Sequence, residues 1–256
     1  MGNNESFGEN PKRIGLAERW WAPVKLKLTE DYNYVNKNVL IKLLYYVFLF
    51  CGLSCIYFFC YFYWGYRIKG KENVRLIKKM SAITVSNHVH DMDSPMLTRA
   101  FYPDTPYFVA QKHNFEMFLI GFFVRVLRGV PVPPVEDVRS LAKFQADINH
   151  LLQTTRHKLH VYPEASIEPY YRELRNFKKG AFYFAVRNNV PVLPMVFVYP
   201  KPKKLNLLIG KPIYPSEIEG FGTIKEAQAV VLIAKKTRNV MQQMMDEFYG
   251  GLENED

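Results

Sequence analysis

The chain has 256 residues, 48% of them hydrophobic and 15% aromatic, enough for one large domain or a domain with an appendage around a sizeable core. Its net charge of +10 favours nucleic acid, an anionic membrane surface or phosphorylated partners, without choosing among them. The three cysteines, Cys51, Cys55 and Cys60, share one apolar segment, which excludes a disulfide framework and a Cys-based zinc site and fits a reducing compartment.

The first dozen residues read as unstructured, and Trp20 and Trp21, set among basic residues, as interfacial contacts. Residues 43 to 64, "LLYYVFLFCGLSCIYFFCYFYW", carry no charge. A helix of that length reaches about 33 Å, enough to cross a bilayer core. The segment lies too late for a signal peptide. Aromatic rings from Tyr57 to Trp64 crowd its end, where such rings prefer headgroup depth. Lys37 and Lys42 precede it; Arg67, Lys69, Lys71, Arg75, Lys78 and Lys79 follow. If it spans, the positive-inside rule puts the bulk of the chain in the cytoplasm. Gly52 and Ser54 leave open a bend that enters one leaflet and returns, and a buried core helix is the plain alternative. The expected organisation is an N-terminal arm and membrane-anchoring segment over 1–66, then an α/β domain over 67–256.

Beyond residue 66 the pattern alternates. "SAITVSN" reads as a buried strand, "DSPMLTRAF" as a helix with Pro95 in its first turn, and "PYFVAQ" as a strand. "FEMFLIGFFVRVL" reads as one apolar helix followed by a loop, "GVPVPP". Its stretch 115 to 123 suits an acyl channel or an ordinary core helix. Residues 138 to 157 are helical by the spacing of Leu141, Phe144, Ile148 and Leu151. A strand ("HKLHVYPE"), a helix ("FKKGAFYFAVRNN"), a strand interrupted by prolines ("VPVLPMVFVYP") and a strand ("KLNLLIG") come next. An amphipathic helix closes the chain over residues 225 to 249. This alternation predicts an α/β fold, a layered mixed sheet flanked by helices, with an N-terminal membrane-associated helical segment.

One stretch departs from plain patterning. "VSNHVHDMDSP", residues 85 to 95, sets two histidines and two aspartates directly after a strand. As a metal site it fails, because a His-x-His-x-Asp-His pattern meets Met92 and Asp93 at its last two positions, and no other histidine clusters nearby. Proton transfer needs less: His88 in a turn, and a carboxylate that fixes its tautomer. Asp93 reaches back to His88 if Asp91 or Met92 begins a helical turn, and Asn87 holds the turn through its side chain. His90 and Asp91 are then spare capping groups. Polar residues that merely end a strand and cap a helix remain the alternative.

"NHVHDMD" is similar to the NHx4D block of the glycerolipid acyltransferases, the bacterial 1-acylglycerol-3-phosphate acyltransferase family. "YFVAQKHNFEMFLIGFFVRVLRGVPV", "VYPEAS" and "FKKGAFYFAVRNNVPVLPMVF" resemble its later blocks, in order, so that the likeness runs from about residue 65 to residue 215. The resemblance implies that His88 is the general base on the acceptor hydroxyl, that Asp93 orients it, and that Glu164 lies on the acceptor side. It implies transfer of a fatty acyl group from a coenzyme A or acyl-carrier-protein thioester to 1-acylglycerol 3-phosphate, giving phosphatidic acid, with no metal, no further cofactor and no covalent enzyme intermediate. Two arginines of the family, thought to hold the acceptor phosphate, are replaced by Pro134 and Ile167. Lys112, Arg172, Arg175 or Lys178 would take over, or the acceptor is another lysophospholipid or a hydroxylated lipid. A non-catalytic membrane or nucleic-acid binder is the rival of another class. The chain shows no aromatic-basic RNA module and no recognition helix, so the expected partners are lipid, thioester and membrane surface, not nucleic acid.

Overall fold

The computed structural model of the chain describes residues 22–35, 38–201 and 204–253. The expectations for the first dozen residues, Trp20, Trp21 and Lys37 lie outside the described residues. Helix α1 (Val39–Val47) begins where the Asn38 side chain accepts from the backbone N–H of Leu40 and Ile41. A π-helical turn, Phe48–Gly52, joins it to α2 (Leu53–Tyr63). Together they form one helix of 25 residues, long and apolar enough to cross a membrane. The Phe48 ring lies over Gly52, where any side chain would meet it at 2.5 Å. One stripe of this helix, Tyr45, Leu49, Leu53 and Cys60, is fully buried, while Leu43, Val47, Phe50, Phe58, Phe59 and Phe62 are exposed. The spacing of the buried residues is that of one helix face, so the helix lies along the rest of the fold instead of passing through its core.

Seven strands form one mixed sheet: β1 (Arg67–Lys69), β2 (Ala82–Ser86), β3 (Tyr107–Gln111), β4 (Gly129–Val132), β5 (Lys158–Val161), β6 (Val192–Val198) and β7 (Asn206–Ile209). Their order is β1-β7-β6-β2-β5-β3-β4. From β6 to β4 the strands are parallel; β7 is antiparallel to β6, and β1 parallel to β7. Every residue of β6 is buried. Val192, Val196 and Val198 enter the core under the helices α7 (Val138–Thr154), α8 (Gly180–Arg187) and α9 (Glu226–Glu253). Leu193, Met195 and Phe197 enter the opposite core, shared with Cys60 of α2 and with Met96, Leu97 and Ala100 of α4 (Asp93–Phe101). The two-residue period of a strand thus feeds both layers at once. A short helix α3 (Glu72–Leu76) links β1 to β2.

Two sequence expectations are corrected. "GVPVPP" is not all loop, since its first four residues form β4. Proline within a strand is tolerated there because β4 is the sheet edge, where a missing N–H costs no ladder bond. Central β6 tolerates Pro194 for a related reason: it sits opposite Gly210, beyond the end of β7, and only its carbonyl is used, by Gly210 N at 2.9 Å. The apolar stretch after β3 is two short helices, α5 (Lys112–Glu116) and α6 (Ile120–Val126), broken at Leu119 with φ 59°. Arg125 causes the fold-back by donating to the carbonyls of Phe115 and Gly121, both at 2.8 Å. Phe115 is buried, but Phe118, Leu119, Phe122 and Phe123 are exposed beside α1, so this is no core helix.

Candidate active site

Strands β2, β5, β3, β4 and β6 all end on the same edge of the sheet, the edge at which parallel α/β sheets present their ligand sites. His88 follows β2 there. The buried Asn87 before it, expected from sequence to hold the turn, instead clamps the end of β6. Its amide donates to Phe197 O at 2.9 Å and accepts from Phe197 N at 2.7 Å.

After His88 the chain turns sharply into α4. The turn is organised by one oxygen of Asp93, the first residue of that helix. Asp93 Oδ2 accepts from Val89 N at 2.7 Å, from His90 N at 3.0 Å and from His88 Nδ1 at 2.9 Å. The carboxylate is fully buried, whereas the His88 side chain is 24% exposed. With Nδ1 donating to a carboxylate, the lone pair of the imidazole resides on Nε2, which has no hydrogen-bond partner among the described residues. His90 Nδ1 accepts from Met92 N at 3.0 Å, which caps the same turn. Outside anchors hold it as well: Glu168 N donates to His88 O at 2.9 Å and the Tyr199 hydroxyl to Val89 O at 3.0 Å.

Tyr162, just beyond β5, stacks on the His88 ring with centroids 4.0 Å apart and planes 14° from parallel. Its hydroxyl meets Ser94 Oγ at 2.9 Å, next to Asp93. Behind it, fully buried His160 presents its ring edge-on to Tyr162 at 4.5 Å and lies between Thr84 and Ser86 of β2, at 3.0 and 3.4 Å. Burial first, and the nearby His88 second, push its pKa down to about 3, so His160 is neutral. Trp64, at the end of α2, meets the His90 ring edge-on at 4.9 Å, which brings the aromatic end of the apolar helix to this loop.

Glu164 is buried two residues after Tyr162. Arg175 donates to its Oε2 through Nη2 at 2.8 Å and Nε at 3.2 Å, and its backbone N–H reaches Oε1 at 3.2 Å. The same guanidinium also donates to the Ser166 hydroxyl and carbonyl. Arg175 is thereby committed to holding its own loop. Lys112 begins α5 and pairs with Glu116 at 3.6 Å. Arg172 is exposed over the Tyr249 ring at 5.2 Å, and Lys178 is exposed with its backbone N–H on Pro163 O at 2.7 Å. Those contacts do not run to His88, Asp93 or Glu164. Pro134 is exposed and Ile167 partly buried. Among the described residues no three His, Cys, Asp or Glu side chains gather as a metal ion would require.

Sequence reasoning passed over Tyr162, His160, Ser94 and Tyr199. The available signal was the period of "HVYPE": Tyr162 follows His160 by two residues at the end of β5, and Thr84 registers against His160.

The family model "Acyltransferase" matches residues 65–198. A human protein, 1-acyl-sn-glycerol-3-phosphate acyltransferase beta, is 29% identical over 139 residues, covering 54% of this chain. The chain spans about half the length of that relative, 49%. The crystal structure of the 1-acyl-sn-glycerophosphate acyltransferase PlsC from Thermotoga maritima shares the fold with a TM-score of 0.57 at 21% identity, over 83% of this chain and 96% of that one.

Proposed function

The chain belongs to the Acyltransferase family, and from that premise we propose that it transfers a fatty acyl group from an acyl thioester to the hydroxyl of 1-acylglycerol 3-phosphate, giving phosphatidic acid. One observation carries the reading: an imidazole held by a buried carboxylate, with its second nitrogen open, at the ligand edge of the sheet. His88 Nε2 takes the acceptor's hydroxyl proton as that oxygen attacks the thioester carbonyl. The tetrahedral intermediate collapses, the C–S bond breaks, and the departing thiolate recovers the proton from the imidazolium. Asp93 fixes the tautomer and lowers the energy of the imidazolium, as the face of Tyr162 also does. General-base catalysis of this kind contributes about 10²- to 10⁴-fold.

The donor is a coenzyme A or acyl-carrier-protein thioester. The acceptor enters from the membrane, where the exposed apolar face of α1 and α2 docks. The basic run after α2 favours the cytoplasmic leaflet. A second reading keeps this chemistry but uses an acceptor without a phosphate. It is favoured by Pro134 and Ile167 at the family's arginine positions and by the engagement of Arg175 with Glu164. The test is incubation with labelled acyl donors and a panel of lysolipids, followed by identification of the products. Phosphatidic acid formation that disappears in His88→Ala supports the first reading, and turnover retained in a folded His88→Ala removes His88 from the mechanism. Preference for an unphosphorylated acceptor selects the second.

A further inference from the structure

A cleft of about 450 Å3 opens between α2, β1 and α4, and none of the residues placed in the candidate active site lines it. Tyr57, Phe58 and Tyr61 of α2 form one wall, and Tyr66, Arg67 and Arg99 close the others. The two guanidinium groups are held over aromatic faces. Arg67 Cζ lies 4.2 Å from the centre of the Tyr61 ring, and Arg99 Cζ 5.5 Å from that of Tyr57. Tyr57 and Tyr61 are four residues apart on one helix, so the rings project side by side, a turn apart. The Tyr57 hydroxyl is pinned by Thr98 of α4.

Among the described residues neither arginine has an acidic partner. Arg67 gives one N–H to Tyr66 O at 3.1 Å, and among the described residues its remaining donors have no hydrogen-bond acceptor. Two guanidinium forks lining one cleft, neither paired with a carboxylate among the described residues, offer the bidentate donors that phosphate oxygens accept. The surroundings decide which phosphate. The cleft opens beside the exposed rings of Phe58 and Phe62, 4.5 Å apart on a helix face without charge, a surface suited to acyl chains.

We infer that this cleft binds the anionic headgroup of a membrane phospholipid, with the phosphate between Arg67 and Arg99 and the chains along Phe58 and Phe62. This rests on the reading of α2 as lipid-facing. Arg99 belongs to the helix that begins at Asp93, so a lipid bound here holds the catalytic turn at the bilayer surface.

The test uses the full chain and two measurements. Flotation compares phosphatidylcholine vesicles with vesicles containing about one part in five phosphatidylglycerol. Native mass spectrometry asks whether one phosphatidylglycerol molecule remains bound. Wild type should float on both, more tightly with phosphatidylglycerol, and retain one lipid. Arg67→Gln/Arg99→Gln should lose the retained lipid and roughly tenfold of the phosphatidylglycerol preference. Lys78→Gln/Lys79→Gln, which removes the same charge from exposed positions outside the cleft, should keep the lipid. Arg67→Lys/Arg99→Lys preserves charge but not the forks and should retain it severalfold less, which provides a readout if the glutamine pair folds poorly. Equal losses in the cleft and control pairs overturn the site in favour of diffuse surface charge. Displacement of the lipid by inorganic phosphate at millimolar concentration overturns the lipid as its ligand. Failure of wild type to float on any vesicle overturns the lipid-facing reading itself, whereas flotation without a retained lipid overturns the site alone.

Discussion

Asp93→Asn separates the structural task of this side chain from its electrostatic one. An asparagine keeps an oxygen where Oδ2 accepts three N–H groups, and places its NH2 where Oδ1 now has no partner among the described residues. Two amide hydrogens left without acceptors cost about 1–3 kcal/mol, so the turn survives in a less stable protein. The charge does not survive. With charge centres about 4 Å apart and an effective dielectric near 20, the carboxylate attracts an imidazolium at His88 by about 4 kcal/mol. At about 1.4 kcal/mol per decade, kcat should fall roughly 10³-fold with little change in KM. Asp93→Ala also strands the buried Val89 N–H and should cost several kcal/mol of stability. The assay is initial-rate acyl transfer from a labelled thioester, with circular dichroism and a thermal melt on each variant. If folded Asp93→Asn keeps kcat within tenfold of wild type, the carboxylate does not stabilise charge during transfer.

Tyr162→Leu removes the ring stacked on His88 and should lower kcat about tenfold, whereas Tyr162→Phe, which loses only the bond to Ser94, should lose far less; equal losses would place the effect in that hydroxyl. His160 has its pKa depressed to about 3 from 6.5 in the fold, so the unfolded chain binds more protons between those values. Its neutral form therefore supports stability fully above pH 6.5, and this support is lost as pH falls towards 3, by up to about 1.4 kcal/mol per pH unit. Urea titrations between about pH 6.5 and 4.5 should show a shallower decline in His160→Gln, and parallel curves would contradict the assignment. Ala165 has φ 57°, in the region that favours glycine. Ala165→Gly should raise stability by about 0.5–1 kcal/mol in a thermal melt, since relief of strain exceeds the added chain entropy; a lower midpoint would refute that balance.

The His88–Asp93 proximity was open to reading from sequence because it spans only five residues, over which a strand end followed by a helix start allows few paths. The alternation of apolar runs indicated a layered mixed sheet for the same reason: strand and helix periods are local properties. The break at Leu119 was not legible, because it depends on Arg125 reaching the Phe115 carbonyl, and an apolar stretch reads the same with or without that reach. Strand β4 was missed because proline is read as a breaker, and its tolerance depends on which strand becomes the sheet edge.

By itself the sequence determined the apolar helix, the strand-helix alternation and the histidine-aspartate turn, all of them consequences of spacing along the chain. Tertiary structure alone decided that Tyr162 would cover His88 across 74 residues, that Glu164 would consume Arg175, and that Arg67 and Arg99 would line one cleft beside the rings of α2. Such pairs follow from strand order and register, which are selected by burying both faces of the sheet at once and leave no periodic mark on the residues that meet.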